Sequence, residues 1–253
     1  MRIYALTGGA TGIGAAIKQR LLANGHQVIV VDVTDADIIA DLSTADGRQR
    51  AIDDIHERAP DGLDGLITCA GLGSHIPDRG LVTRVNYFGC TTIVEGVRDL
   101  LASRNGRVVL ISSNSAPMCD RPDYVDLLLA GDEPAAAALA DTITGQQTYS
   151  GSKQAIARWM RRNTADLAAQ GISINAIAPG YTETPMTAAV ANDPIYGDAI
   201  KKFLSSIPVG RPGRPEDMAD LVEFLLGEKS SFICGSVLFV DGGHDAMLRP
   251  DAF

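Results

Sequence analysis

The chain has 253 residues, 45% of them apolar and 21% charged, and a formal net charge of -9. That mixture suits a globular protein with a sizeable core and excludes a largely disordered chain. The negative balance opposes nucleic acid as a partner, and no stretch approaches about 18 uninterrupted apolar residues, so no membrane partner is expected.

In chain order, the first elements already carry a motif. "MRIYALTGG" lacks the apolar core and cleavage site of a secretory signal, and a cytoplasmic location is expected. Ile3 to Leu6 predicts a strand, and it runs straight into "TGGATGIGAA", Thr7 to Ala16, ahead of a helix predicted over Gly14 to Asn24. Gly8, Gly12 and Gly14 follow a G-x-x-x-G-x-G spacing, a variant of the dinucleotide fingerprint. Glycines there permit a tight turn, backbone approach to a pyrophosphate and helix-on-strand packing; a purely structural turn would use them too. Asp32 ends the second run, Gln27 to Asp32, where a carboxylate can take the ribose hydroxyls of an adenosine and repel a 2′-phosphate. The following "VTDAD" has no Arg or Lys for that phosphate, so NAD is preferred over NADP.

Ser43 and Asp46 predict a capping-box-like start for a helix over Thr44 to Arg58. A strand over Gly65 to Gly71, a helix over Leu81 to Ser103 and a strand over Arg107 to Ser113 follow. Ala116 to Thr148 breaks the rhythm with an Ala-rich insert holding two short helices, "DYVDLLLA" and "EPAAAALADTI". Then come a helix over Tyr149 to Ala169, a strand over Ser173 to Pro179, a loop of about 185–210, a helix over Pro215 to Leu226 with Pro215 at its first position, and a last run, Ser236 to Gly243. The alternation predicts one doubly wound Rossmann-type α/β domain across residues 1–253, with a parallel sheet between two helical layers. Cys69, Cys90, Cys119 and Cys234 lie far apart without a C-x-x-C pair, so neither a metal site nor a disulfide is expected.

"YSGSK", Tyr149 to Lys153, places a phenol and an ammonium one helical turn apart. A cation about 4 Å away favours a phenolate by roughly 4 kcal/mol at an effective dielectric of about 20, which makes a poor base usable at neutral pH. Ser112 and Ser113 end a predicted central strand at the edge where open α/β sheets bind ligands, and a hydroxyl there can steady charge on a substrate oxygen.

With "CAG" (Cys69 to Gly71), "VNYFG" (Val85 to Gly89) and "NAIAPGYTETP" (Asn175 to Pro185), these motifs stand in the order of the short-chain dehydrogenase/reductase family, which the sequence resembles along essentially its whole length. The resemblance implies an NAD-dependent oxidoreductase that interconverts a secondary alcohol and a ketone. Tyr149 would be the acid/base, Lys153 would support it and hold the nicotinamide ribose, Ser113 and not Ser112 would orient the substrate oxygen, and Asn86 would anchor a water in the proton relay. Gly8, Thr11, Gly12, Ile13 and Gly14 would cradle the pyrophosphate, with Asp41 and Leu42 at the adenine. Cys69, Ala70 and Gly71 would line the cofactor, while Pro179, Gly180, Thr182 and Thr184 would hold the carboxamide. Cys69 replaces the family's usual asparagine and is expected to cost a hydrogen bond near the adenine without touching catalysis.

The Ser113-to-Tyr149 interval is longer than usual in the family. The resemblance implies that this insert blocks the common four-helix dimer contact and that a homodimer forms near Ser236 to Asp241 and the Pro215 to Leu226 helix; a substrate lid is the alternative. "ADLSTADGR" (40–48) and "DGGHDAMLRP" (241–250) resemble family members that act on hydroxysteroids. Met186, Ala188, Val190, Ile195, Tyr196, Ile200 and Phe203 could line an apolar pocket for a steroid or other alicyclic ketone, or form the buried face of a lid helix. Other alicyclic alcohols or dihydrodiols are the runner-up substrates. A non-catalytic NAD-binding regulator would not require the Ser, Tyr, Lys and Asn set.

Overall fold

β-Branched runs pair into a single parallel sheet of β1 (Ile3–Thr7), β2 (Gln27–Asp32), β3 (Ile38–Ile39), β4 (Gly65–Thr68), β5 (Arg107–Ile111), β6 (Ser173–Pro179) and β7 (Val237–Val240). The computed structural model describes residues 1–191 and 203–252, without the side chains of 189–191. Strand order is β3-β2-β1-β4-β5-β6-β7. The chain builds outward from β1 to β3 and then restarts on the other side with β4, so the order reverses between β1 and β4. Ligands bind at the carboxyl ends of strands at such a reversal.

Alternate residues feed two cores, because successive side chains leave a strand on opposite faces. Tyr4, Leu6, Val28 and Val30 pack with Ile17 and Leu21 of α1 (Gly12–Ala23) and Met218 and Val222 of α10 (Pro215–Leu226). Ala5, Ile29, Val31 and Leu66 face the other layer. That layer contains α2 (Ala45–Arg58), α3 (Arg79–Thr83), α4 (Gly89–Gly96), α5 (Arg98–Ser103), the insert helices α6 (Pro122–Leu129) and α7 (Glu133–Ala140), and α8 (Gly145–Ala168). Two further helices are α9 (Pro185–Ala191) and α11 (His244–Leu248).

Two sequence expectations ahead of β5 need correction. The cap of α2 is Thr44, whose hydroxyl accepts from the Gly47 N–H at 3.0 Å; Ser43 is buried, and its N–H donates to the Asp41 carboxylate. The helix expected over Leu81 to Ser103 is broken by a π-helical turn, Arg84–Phe88, and by a bend at Val97 between α4 and α5. The π turn lets the Asn86 side chain reach the loop after β4, a bond that outweighs regular helix there.

The insert is not loose. Tyr124 of α6 is fully buried, its hydroxyl shares a 2.8 Å hydrogen bond with Thr83, and its ring lies on Gly151, where an added Cβ would come within 2.6 Å. Arg48 of α2 ties Glu133 of α7 at 2.7 Å and the Leu42 carbonyl at 3.2 Å.

Candidate active site

Construction of the site begins at the end of β1. Gly8 and Gly12 hold φ values of +74° and +56°, and a Cβ on Gly8 would strike the Ala70 backbone. A Cβ on Gly14 would overlap the Gly8 carbonyl, so α1 can start directly on the strand end only with glycine there. The N-terminus of α1 is thereby aimed across the end of β1, a place suited to a phosphate.

A slot of about 490 Å³ opens at this edge. It collects Gly8, Thr11, Gly12, Ile13 and Gly14 from the first turn, Asp32 at the end of β2, Asp41 and Leu42 beyond β3, and Cys69, Ala70 and Gly71 beyond β4. Ser112 and Ser113 beyond β5, Tyr149 and Lys153 of α8, Pro179 at the end of β6, and Gly180, Thr182 and Thr184 beyond it close the slot. Sequence reasoning missed Val33, Leu72, Leu81, Val85 and Thr187, which also line it. Val85 opens the VNYFG motif and Leu72 follows CAG, and their apolarity there was the signal; Leu81 and Thr187 carried none.

Of the expected substrate-loop residues, Met186 lines the slot. Ala188 and Phe203 do not; Phe203 instead packs edge-on against His244 of α11 at 4.6 Å between ring centres. The Val190 side chain and residues Ile195, Tyr196 and Ile200 lie outside what is described.

The reactive end is built by three elements. Thr144 caps α8 by accepting from the Gln147 N–H, while the Gln147 side chain accepts from the Thr144 N–H, so the helix starts at Gly145, before the expected Tyr149. Half-buried Tyr149 and buried Lys153 then share one face, with the Lys153 Nζ 5.8 Å from the Tyr149 ring centre. Lys153 Nζ donates to the Ile111 carbonyl at 2.8 Å, and an ammonium has two further protons to offer. Ser112 Oγ donates to the Lys153 carbonyl at 2.9 Å, which commits it to tying β5 to α8 and leaves Ser113 as the hydroxyl facing the slot.

Asn86 sits outside the lining. It is fully buried, its Oδ1 accepting from the Leu72 N–H at 2.7 Å and its Nδ2 donating to the Leu72 carbonyl at 3.1 Å and to Ser152 Oγ at 3.3 Å. It clamps the Gly71–Leu72 backbone, which passes close to Lys153.

Charge is distributed unevenly. Among the described residues lining the slot, Asp32 and Asp41 are the anions and Lys153 the sole cation. Asp32 Oδ2 accepts from the Ala10 N–H at 3.0 Å and Oδ1 from the Val33 N–H at 2.7 Å, so the carboxylate is anchored to both turns and keeps lone pairs for a ligand. Desolvation pushes the Cys69 thiol up to about 12, against the opposing pull of Lys153, so it stays neutral. No group of His, Cys, Asp and Glu arranged to hold a metal occurs among the described residues.

Comparison with known proteins places this arrangement. The short chain dehydrogenase profile matches residues 2–123, and the enoyl-(acyl carrier protein) reductase profile matches residues 135–245. The chain is 40% identical to a 3-alpha-hydroxysteroid dehydrogenase/carbonyl reductase of Comamonas testosteroni, with 100% of both chains covered. It belongs to the short-chain dehydrogenase/reductase family. The chain is an oxidoreductase of hydroxyl and carbonyl groups, and the stretch between the two matched regions falls within the helical insert. A crystal structure of the 3-alpha-hydroxysteroid dehydrogenase from Pseudomonas sp. B-0831, complexed with NADH, superposes with a TM-score of 0.95 at 42% identity, covering 99% of this chain and 100% of that one. A cis-4-hydroxycyclohexanecarboxylate dehydrogenase of Sinomonas cyclohexanicum is 30% identical, with 97% of each chain covered.

Proposed function

We propose that this protein is an NAD-dependent dehydrogenase and reductase of 3α-hydroxysteroids and related uncharged alicyclic alcohols and ketones. One observation carries the reading: the Ser113, Tyr149 and Lys153 side chains meet the glycine turn and Asp32 in a single slot. The slot fits a dinucleotide because its glycine turn has no room for side chains, its far end presents a carboxylate to a ribose, and no cation there would hold a 2′-phosphate. When bound, the nicotinamide supplies the hydride acceptor.

The chain's own residues do the rest. The Tyr149 phenol oxygen exchanges the proton with the substrate oxygen, the Lys153 ammonium lies on the same helical face, and the Ser113 hydroxyl donates to the substrate oxygen as its charge changes. In reduction the same proton returns from the Tyr149 hydroxyl to the carbonyl oxygen. Pro179, Gly180, Thr182 and Thr184 would hold the carboxamide end of the cofactor. Asn86 acts by fixing the Gly71–Leu72 backbone beside Lys153.

Leu72, Leu81, Val85 and Met186 give the substrate end an apolar wall. A carboxylate-bearing ring, as in the name of the Sinomonas relative, finds no cation besides Lys153 among the described lining residues, which favours a steroid. The chain acts as one domain over residues 1–253 and works in the cytoplasm; no helix among the described residues is long and apolar enough to cross a membrane. It works as a homodimer joined through β7 and α10, since the insert occupies the outer faces of α3 and α8.

Replacing Tyr149 with Phe tests the chemistry. NADH binding, followed by fluorescence, should stay near the wild-type value while kcat with a 3α-hydroxysteroid falls at least roughly 100-fold, the usual worth of general acid/base catalysis. Turnover close to wild type would remove Tyr149 from the mechanism.

A further inference from the structure

Ser113 is held by one neighbour twice. Its Oγ accepts from the Ser115 main-chain N–H at 3.1 Å and from the Ser115 hydroxyl at 3.0 Å. A serine hydroxyl has one proton and two lone pairs, so both acceptor sites are filled and the proton is all that Ser113 has left to give. Ser113 is buried and lines the slot, while Ser115 does not line it. The main chain contributes to the grip as well: the Asn114 N–H donates to the Pro179 carbonyl at 3.0 Å, fixing the link between the two serines.

Polarity at this oxygen matters for the reaction. A substrate ketone can only accept, and an alcohol on its way to the ketone gathers negative charge on its oxygen. A Ser113 hydroxyl with a free lone pair could rotate and accept from the Tyr149 hydroxyl or from the substrate alcohol. In that orientation it offers nothing to the charge that develops.

We propose that Ser115 is a positioning residue, whose hydroxyl holds Ser113 as a hydrogen-bond donor toward the substrate oxygen and polarises it for that task. Donation into the Ser113 oxygen makes its own O–H a stronger donor, because linked hydrogen bonds reinforce one another at low local dielectric. The inference rests on the role given to Ser113 above.

The test compares Ser113→Ala, Ser115→Ala, Ser115→Thr and the Ser113→Ala/Ser115→Ala double variant, with kcat, KM and NADH affinity measured for each. Ser115→Ala should lower kcat roughly 5- to 10-fold, the size of one net hydrogen bond, with KM and NADH affinity held within about twofold. Ser115→Thr keeps a hydroxyl and should return kcat to within about twofold of wild type. In the Ser113→Ala background the Ser115 change should add almost nothing, because the removed hydroxyl no longer has a partner to orient. An unchanged kcat in Ser115→Ala would overturn the proposal, as would an equal loss on both backgrounds or a loss of NADH binding that threonine does not repair. Wild-type kcat in Ser113→Ala is a different failure: it removes Ser113 from the mechanism, and the role of Ser115 falls with it.

Discussion

Asp32 does two jobs with one carboxylate. It pins the glycine turn through the Ala10 N–H and its own strand end through the Val33 N–H, and it leaves negative charge at the end of the slot where the proposed reading puts the ribose. Val33, next to it, is 58% exposed and also lines the slot, so a long cation placed there would reach the same space. Asp32→Ala combined with Val33→Arg should therefore shift the NADP-to-NAD ratio of kcat/KM by roughly 10- to 100-fold, the worth of one charge-assisted hydrogen bond. Asp32→Ala alone should weaken NAD binding too, because the Ala10 N–H loses its acceptor. An unmoved ratio in steady-state kinetics would mean that Asp32 does not meet the ribose. Residues of this kind were legible in the sequence because their chemistry is tied to spacing: a glycine turn, a carboxylate at a strand end, a Tyr and a Lys one turn apart. Ser115 was not legible. Its contribution is a contact with another side chain, and nothing in "ISSNS" distinguishes it from a loop serine.

Elements were legible in their cores and blurred at their ends. The β-branched runs fixed six strands, whereas β3 has two residues and no period to detect. The long helical pattern from Leu81 to Ser103 hid the π turn, since Arg84–Phe88 contains no glycine or proline to announce a break and the cause is a tertiary bond from Asn86. Caps, by contrast, are local chemistry and can be tested singly. In α10, Asp217 Oδ2 accepts from the Arg214 N–H at 2.7 Å, and both carboxylate oxygens bond Arg211. The Arg211 hydrogen bonds, aided by that N–H, hold the Asp217 carboxyl below its ordinary value of 3.8. A carboxyl depressed in the folded state contributes stability above its unfolded value, and that contribution is lost as pH falls through the lower, folded value. Asp217→Ala should accordingly lower Tm at pH 7 by about 2–4 °C, the effect of about 1 kcal/mol of lost capping in a chain of this size. The gap between variant and wild type should narrow as the pH is taken below 3.8. A constant gap across that range, read by calorimetry, would show that the charge of Asp217 has no part in the cap.

At the scale of the molecule, the two ends of the sheet and the insert decide how copies can meet. Each of β1, β2, β4, β5 and β6 is mostly buried, but no residue of β7 is, and Phe239 on it is 37% exposed. Two more phenylalanines, Phe224 of α10 at 41% exposure and Phe232 in the stretch between α10 and β7, fully exposed, also meet water in the single chain. An unpaired edge strand with exposed apolar side chains is a ready surface for a second copy related by a twofold axis. The alternative surface is closed. Helix α6 lies on α8 through Tyr124 and Gly151, and α7 lies beside α3, where Arg79 also donates to the Asp141 carbonyl at 3.3 Å. The sequence showed that an apolar insert had to bury itself somewhere, but which helices it covers depends on packing between distant segments. The dimer should therefore scatter light as twice the 26.7 kDa chain, and Phe224→Glu with Phe232→Glu should halve that mass with the fold retained. Replacing Met118 to Gln146 with a brief turn should uncover α3 and α8 and change the stoichiometry in the opposite direction, through a second interface. If the double glutamate variant stays dimeric, the contact is not at β7 and α10. If the shortened variant keeps its mass and changes only its substrate range, the insert is a lid over the slot and has no part in assembly.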